Sequence, residues 1–547
     1  MEVVLRFGFI FSFAITFMYY ISRFAWRRAL RDTNKQKRAR ILVSLGIREP
    51  GKYMFVGFLH PYCNGGGGGE RVLFEAISTL QNDANIISVV YTGDIEPLPD
   101  GVSKAEILAK CKERFGITLR EDLVAFLPLR NRYLVDGSYW RYFTLLGQAF
   151  GSNRITYEAL GMMVPDVFID SVGYGFSMRA VKNFSSKIRV GTYIHYPMIS
   201  SDMQRRVRSR SSGLTNSSRI ADSILLSGIK SVYYLILSTF YGRALRAADC
   251  IAVNGTWTHN HVQELMRHTV PRPWTPYVPP VHIVYPPCDT EQLARLPLDS
   301  RQLCSIVSLA QFRPEKDHEM QLRVVHRLLT ENAFLRRAQG DRRPLMLTMI
   351  GGCRNKEDRA RVDSLQMLAK ELGIERNVEW CIDAPRTLVL EKLRRASIGL
   401  STMVDEHFGI NVVEYMAAGL LTLSNASAGP LLDIAVPVDG EVTGFHAKQL
   451  ETYVEQAYKL LTMPEVDAFL IRERARKHVV NTFSDQHFCS AWKTKFWDWL
   501  VPPTLLQLNE ERIQEIKEER AQKALAQVQR AKEREVRRIA AEAKKQV

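Results

Sequence analysis

Two glutamates, Glu406 and Glu414, stand with seven residues between them in Glu406-His407-Phe408-Gly409-Ile410-Asn411-Val412-Val413-Glu414. Carboxylates so spaced can accept hydrogen bonds from hydroxyl groups of a sugar and a ribose. The elements around them decide whether they do. An apolar run, 396–402, comes first and reads as a buried parallel strand. Gly409 then frees the backbone for a sharp turn. Val412, Val413, Met416 and Ala417 recur at helical spacing, so a helix starts near Gly409 and stops near Gly419. Free N–H groups at a helix start attract phosphate. Phe408, Gly409, Ile410 and Asn411 are therefore expected to border a nucleotide diphosphate. Glu414 lies one to two turns inside, level with a ribose, and Glu406 sits before the helix, within reach of a bound sugar. The plainer alternative is a capped helix with two solvated glutamates.

Three other stretches carry compatible chemistry. Arg313 and Lys316 follow an expected strand at 305–309, where a guanidinium fork and an ammonium point charge can clamp a diphosphate. Surface salt bridging is the alternative. A run of five glycines, Gly65 to Gly69, follows the first expected strand, 52–59. It fits neither the dinucleotide fingerprint nor a Walker loop. Gly67, Gly68 and Gly69 open an amphipathic helix and allow close backbone approach to phosphate or sugar; a flexible turn is the alternative. His195 ends the expected strand 189–196, at the ligand edge of a parallel sheet. A satisfied core histidine would read the same way. Ser427-Ala428-Gly429-Pro430 follows another strand and can offer backbone amides.

Positioning these groups takes two βαβ series. The first has strands at 52–59, 85–91, 121–129, 165–171, 189–196 and, last, 249–254. A boundary rich in Pro and aromatics comes next at 271–287. The second has strands at 305–309, 345–350, 378–382, 396–402 and 420–424. The fold class is α/β, with Rossmann-like parallel-sheet domains at 47–290 and 298–483, an aromatic-rich helix at 484–500 and a charged helical tail at 507–547. Residues 7–26 are almost wholly apolar and long enough to span a bilayer. Seven basic residues from Arg27 to Arg40 keep the rest of the chain on the cytosolic side. Segment 1–30 is thus an anchor with its basic flank. Residues 220–246 read either as a helix lying in the membrane interface, beside Arg205, Arg206, Arg208 and Arg210, or as a core helix of the first domain. The net charge of +16 predicts anionic partners. The eight cysteines form no Cys-x-x-Cys and read as reduced, mostly buried thiols. No Asp-x-Asp occurs, so a metal-held diphosphate is not expected.

Taken together, the paired glutamates, the glycine run between His60-Pro61-Tyr62 and Glu70-Arg71, the block Tyr193-Ile194-His195-Tyr196-Pro197 and the stretch from Gln311 to His318 resemble glycosyltransferase family 4 over roughly 51–500. The resemblance implies the GT-B architecture, two Rossmann-like domains facing a cleft, and retaining transfer without metal or cofactor. Within the family it implies mannose transfer from GDP-mannose, in alpha-1,2 linkage, onto dolichyl-pyrophosphate-linked oligosaccharide at the cytosolic face of the endoplasmic reticulum. The fourth and fifth mannoses would be added. Implied partners are those two substrates, membrane lipid and other transferases of the same pathway, and no nucleic acid. His195 would contact the transferred sugar, and Glu406 would help stabilise a cationic transition state. The family's usual Arg, five residues before Lys316, is here Gln311, which leaves Arg313 as a substitute clamp. A related transferase using a UDP-sugar, or a non-catalytic membrane scaffold, would share much of this pattern.

Overall fold

Largely apolar runs of three to seven residues build two parallel sheets in the computed structural model. It describes residues 53–210, 221–267, 277–337 and 343–502, together with 32–47 and, upstream, 18, 21, 25 and 28–30. The expected anchor, 7–26, lies almost wholly outside these residues, and the tail, 507–547, entirely so. The chain divides into a large compact unit, Met1–Phe496, and a terminal one, Trp497–Val547.

The first sheet holds β1 (Met54–Leu59), β2 (Ile86–Thr92), β3 (Val124–Pro128), β4 (Val167–Asp170), β5 (Arg189–Ile194), β6 (Cys250–Val253) and β7 (Val281–Ile283). Their order is β3-β2-β1-β4-β5-β6-β7, all parallel. The second holds β8 (Ser305–Leu309), β9 (Met346–Gly351), β10 (Val378–Ile382), β11 (Ile398–Ser401), β12 (Leu421–Asn425) and β13 (Phe445–Ala447). Its order is β10-β9-β8-β11-β12-β13, again all parallel. Helices cover both faces, so strands such as β2 are buried along their whole length and read as unbroken apolar runs. Both sheets reverse strand order beside their first strand, β1/β4 and β8/β11. Ligands of open α/β sheets bind outside the carboxyl ends at such points. The glycine run follows β1, Lys316 follows β8, and the paired glutamates follow β11.

Two differences from the sequence expectations have physical causes. The 121–129 segment is split: Glu121–Leu123 is a single 3-10 turn, and the strand starts at Val124. Arg120 binds Asp122 and Lys104 reaches the carbonyl of Glu121, which holds that turn out of the ladder. The 249–254 strand is not the last of its sheet, because β7 adds to it from within the expected boundary. A three-residue edge strand just after Pro279 and Pro280 has almost no periodicity to read. None of the eight cysteines forms a disulfide, and six of them are buried.

The helix Ile224–Leu245 packs one side into the core of the first domain, as one of its two sequence readings expected. A stripe with Tyr234, Leu237, Tyr241 and Leu245 is buried, and Tyr241 Oη donates to the carbonyl of Gly173 at 3.0 Å. The opposite side is exposed and apolar. Among the described residues it is one helix of 22 residues, mean hydropathy 1.4, that is long and apolar enough to cross a membrane.

Candidate active site between two helix starts

At the end of β1 the chain turns through Gly66, φ +76°, into the helix Gly68–Leu80, capped by Gly67. The Glu70 carboxylate folds back to accept from the Gly67 amide at 2.7 Å. Two histidines stand beside this turn. Ser171 Oγ gives its proton to the Leu59 carbonyl at 3.0 Å, so His60 Nδ1, 2.9 Å away, must be the donor to Oγ, and His60 Nε2 is an acceptor. His195 Nε2 is 3.1 Å from the carbonyl oxygen of Ser171 and therefore carries its proton, leaving Nδ1 as the acceptor. Both imidazoles are lowered to about 4, chiefly by burial, with nearby His60 adding to the effect at His195. Both are neutral at pH 7. The His195 ring lies over Gly69: a Cβ built there would sit 3.7 Å from Nε2. Asn254 donates to the His195 carbonyl at 2.8 Å and fixes the end of β5.

The second lobe mirrors this start. Gly409, φ +105°, caps the helix Ile410–Ala418, and Gly419, φ +82°, ends it. At Gly409 a Cβ would also press on Pro430 Cγ at 3.2 Å, so only glycine fits. Lys316 Nζ is paired with Glu406, and their side chains are 22% and 14% exposed. Thr402 Oγ1 lies 3.0 and 2.9 Å from the carbonyl oxygens of Lys316 and Asp317, which ties the Lys316 turn to the end of β11. Arg313 is turned towards Glu315, 3.8 Å away, and lies near Arg354. Asn411 spends its side chain on Ser401 Oγ and the Val412 amide. Phe408 is packed in the core against Tyr285 and Phe483, so a ligand could meet only its backbone. Glu414 is largely buried, 3.6 Å from Arg386, which also holds Asp289 at 2.8 Å. Burial raises the Glu414 pKa, and Arg386 opposes the rise.

The two helix starts meet. A Cβ on Gly68 would come within 2.7 Å of Ile410 Cδ1. Tyr196 and Trp257 flank His407 at 4.3 and 4.5 Å between ring centroids. Asp433, in the π-helical turn Pro430–Ile434, accepts from the Thr256 amide at 3.0 Å and from Tyr285 Oη at 3.0 Å. Thus the Gly68 helix start, with His195 beside Gly69, meets the Ile410 helix start, and Glu406, paired with Lys316, lies beside Gly409. Arg313 pairs with its neighbour Glu315. Asp433, Thr256 and Arg386 escaped the sequence reading, since their partners are far away in the chain. Among the described residues no group of three or more His, Cys, Asp or Glu is arranged to hold a metal ion.

A family model described as ALG11 mannosyltransferase N-terminus matches residues 53–266, and one described as Glycosyl transferases group 1 matches 300–478. The Mus musculus protein named GDP-Man:Man(3)GlcNAc(2)-PP-Dol alpha-1,2-mannosyltransferase is 42% identical over 439 residues, 79% of this chain and 84% of its own. The chain belongs to the ALG11 mannosyltransferase family. Family members of the same name from Homo sapiens and Neurospora crassa are 41% and 37% identical, each over 80% of this chain and over 85% and 78% of their own. Solved glycosyltransferases share the fold alone. A trehalose 6-phosphate synthase from Burkholderia multivorans has a TM-score of 0.57 at 12% identity, covering 82% of this chain and 98% of its own. The structure titled OtsA apo structure gives 0.58 at 10%, covering 81% and 98%.

In this ALG11-family chain the lobes are also joined through the helix Asp485–Ala491. Arg71, on the Gly68–Leu80 helix, makes a forked pair with Asp485 at 2.7 and 2.9 Å. Beside it Glu75 is buried, and its pKa is raised to about 6 by burial and then by Asp485. The sign comes from linkage. The folded chain binds this proton more tightly than the unfolded one, whose carboxyl titrates near 4.5, so a penalty is fully present above pH 6 and fades below it. Glu75→Gln should raise stability at pH 7.5 by up to about 2 kcal/mol. Melting temperatures in detergent should show that gain shrinking as the pH falls to 4.5.

Proposed function

We propose that this chain moves mannose from GDP-mannose, in alpha-1,2 linkage and with retention, onto a dolichyl-pyrophosphate-linked oligosaccharide, adding its fourth and fifth mannoses. It acts at the cytosolic face of the endoplasmic reticulum, held there by the 7–26 segment and bilayer lipid, beside other transferases of the same pathway. Kinship supports the substrates. The observation that carries the chemistry is the meeting of two helix starts at Gly68 and Ile410, with Lys316, Glu406 and His195 around it.

In this reading the amides at Gly409, Ile410 and Asn411 and the Lys316 ammonium hold the diphosphate, with Arg313 as an outer cation. They stabilise the negative charge that grows as GDP leaves. Glu414 accepts from the ribose. Neutral His195 offers Nδ1 to a sugar hydroxyl, and Glu406 lies against the face where positive charge develops. The acceptor hydroxyl enters on the face from which the phosphate departs, and the departing oxygen takes its proton.

The deciding experiment is mass analysis of the lipid-linked product after incubation with GDP-mannose. Growth by two hexoses is expected, undiminished by EDTA, with GDP and not UDP competing. Tight binding of UDP alone, or a strict manganese requirement, overturns the proposal. Glu414→Ala should raise the KM for GDP-mannose ~10- to 100-fold, the value of a hydrogen bond to a charged group, with a smaller effect on kcat. Steady-state kinetics at saturating acceptor measure it.

A further inference from the structure

Three neighbouring strands of the first sheet, in the order β1-β4-β5, each run into one polar side chain at the carboxyl end. His60 follows β1, Ser171 follows β4 and His195 follows β5. They differ in what they can touch. His60 is 5% and Ser171 2% exposed, whereas His195 is half-buried. The first two have almost no surface to offer a substrate, so they act through a neighbour. An imidazole and a hydroxyl buried at the end of an apolar sheet also cost free energy unless their hydrogen bonds are made. Here the bonds are made, and they run in one direction.

Ser171 has one hydroxyl proton, which goes to the Leu59 carbonyl at 3.0 Å. Its Oγ accepts from His60 Nδ1 at 2.9 Å. The side chain is thus fastened twice to the end of β1. The carbonyl of the same residue serves the other neighbouring strand and accepts from His195 Nε2 at 3.1 Å. One residue past β4 therefore ties β1 to β5. His60 sets the sense of the series: with its proton on Nδ1, Ser171 Oγ accepts there and sends its own proton to Leu59.

The loop beyond β4 is pinned as well. Asp170 is fully buried, and its Oδ1 accepts from the amides of Val172 at 3.1 Å and Gly173 at 2.9 Å, while its second oxygen takes the Ser177 hydroxyl. Gly173 has φ +90°, and a Cβ there would stand 3.0 Å from the Ile194 Cα, so the loop lies directly against the end of β5. Tyr241 Oη donates to the Gly173 carbonyl at 3.0 Å. With the loop held on that side, the Ser171 hydroxyl is the pin on the β1 side, and the peptide between them keeps one orientation.

We propose that Ser171 and, through it, His60 are positioning residues for His195: they aim a fixed carbonyl at Nε2, keep the proton there and leave Nδ1 bare as a hydrogen-bond acceptor. A neutral imidazole has two tautomers, and moving the proton to Nδ1 turns that acceptor into a donor. The inference rests on the reading that His195 meets the transferred sugar, and it adds which residues decide the state in which His195 does so. The nearby carboxylates have other partners. Glu70, close to His195, accepts from the Gly67 amide, and Asp94, close to His60, holds the Asn64 amide and Arg132.

Ser171→Ala should lower kcat for mannose transfer about 10- to 100-fold, the order reached when reacting groups are displaced by about 1 Å. GDP affinity, measured by calorimetry, should hold, because GDP lacks the sugar. His60→Leu should lose as much as Ser171→Ala. His60→Asn, whose side-chain amide stands where Nδ1 was, should recover most of the loss. In the His195→Ala background neither Ser171→Ala nor His60→Leu should cost more than about twofold, since groups that act through one another are not additive. Equal losses in both backgrounds overturn the proposal, because they make the two residues merely structural. The proton itself is read on the full chain in lipid vesicles by solid-state NMR with 15N-labelled histidine, the His195 signals being those missing from His195→Ala. Nε2 should carry the proton in the unsubstituted chain, and Ser171→Ala and His60→Leu should each give a mixture of tautomers. A single Nε2-protonated form in both variants also overturns the proposal. Undiminished transfer by His195→Ala would defeat the sugar-contact reading alone, because the NMR arm stands without it.

Discussion

Lys316→Ala should lower kcat by about 100- to 1,000-fold, the range seen when one preorganised charge is removed from a transition state. Lys316 and Glu406 are each other's partners, and both are largely buried. Removing one leaves the other unpaired, so lost activity alone would not separate chemistry from stability. The double variant Lys316→Ala with Glu406→Ala separates them. If the two groups serve only each other, removing both restores most of the activity. If Lys316 meets the diphosphate and Glu406 the sugar, the double variant is at least as slow as the worse single one. GDP affinity, measured by calorimetry, should fall with Lys316→Ala and not with Glu406→Gln, because GDP carries the phosphates and lacks the sugar. Full turnover in Lys316→Ala would end the site assignment.

The parts of this site legible in the sequence were those built by local rules. Gly409 and Gly419 bracket the Ile410–Ala418 helix because only a residue without Cβ adopts their positive φ, and the sequence shows both. The strands before Lys316 and Glu406 showed as apolar runs because parallel strands are covered on both faces. What stayed hidden depends on distance along the chain. Asp433 and Thr256 are 177 positions apart, and no local pattern marks their contact. The burial of Phe408 was equally unreadable, since the phenylalanines and tyrosine around it come from other segments. The two possible lives of residues 220–246 could not be separated either. An interfacial helix usually advertises itself by a polar face. Here the face opposite the exposed apolar side is the protein core, so both sides are apolar and no alternation remains to be read.

Gly68→Leu should reduce kcat/KM by about 100-fold or more while leaving the chain folded. Gly68 occupies the first turn of its helix, and leucine is a better helix former than glycine, so the local element loses nothing. The obstacle is across the cleft. A Cβ at this position already stands 2.7 Å from Ile410 Cδ1, and the rest of a leucine would need the space that Ile410 fills. Alanine is a milder change, because the far end of the Ile410 side chain can rotate away. Leucine instead drives the two helix starts apart, and a displacement of about 1 Å at reacting groups costs on the order of 100-fold. The size swap checks this cause. Adding Ile410→Ala to Gly68→Leu returns the lost volume and should recover a large part of kcat/KM, whereas Ile410→Ala alone should cost little. Melting temperature should hold or rise in Gly68→Leu while turnover falls. If Gly68→Leu turns over normally, the approach of the two helix starts is not what catalysis requires, and the donor must be held within one lobe.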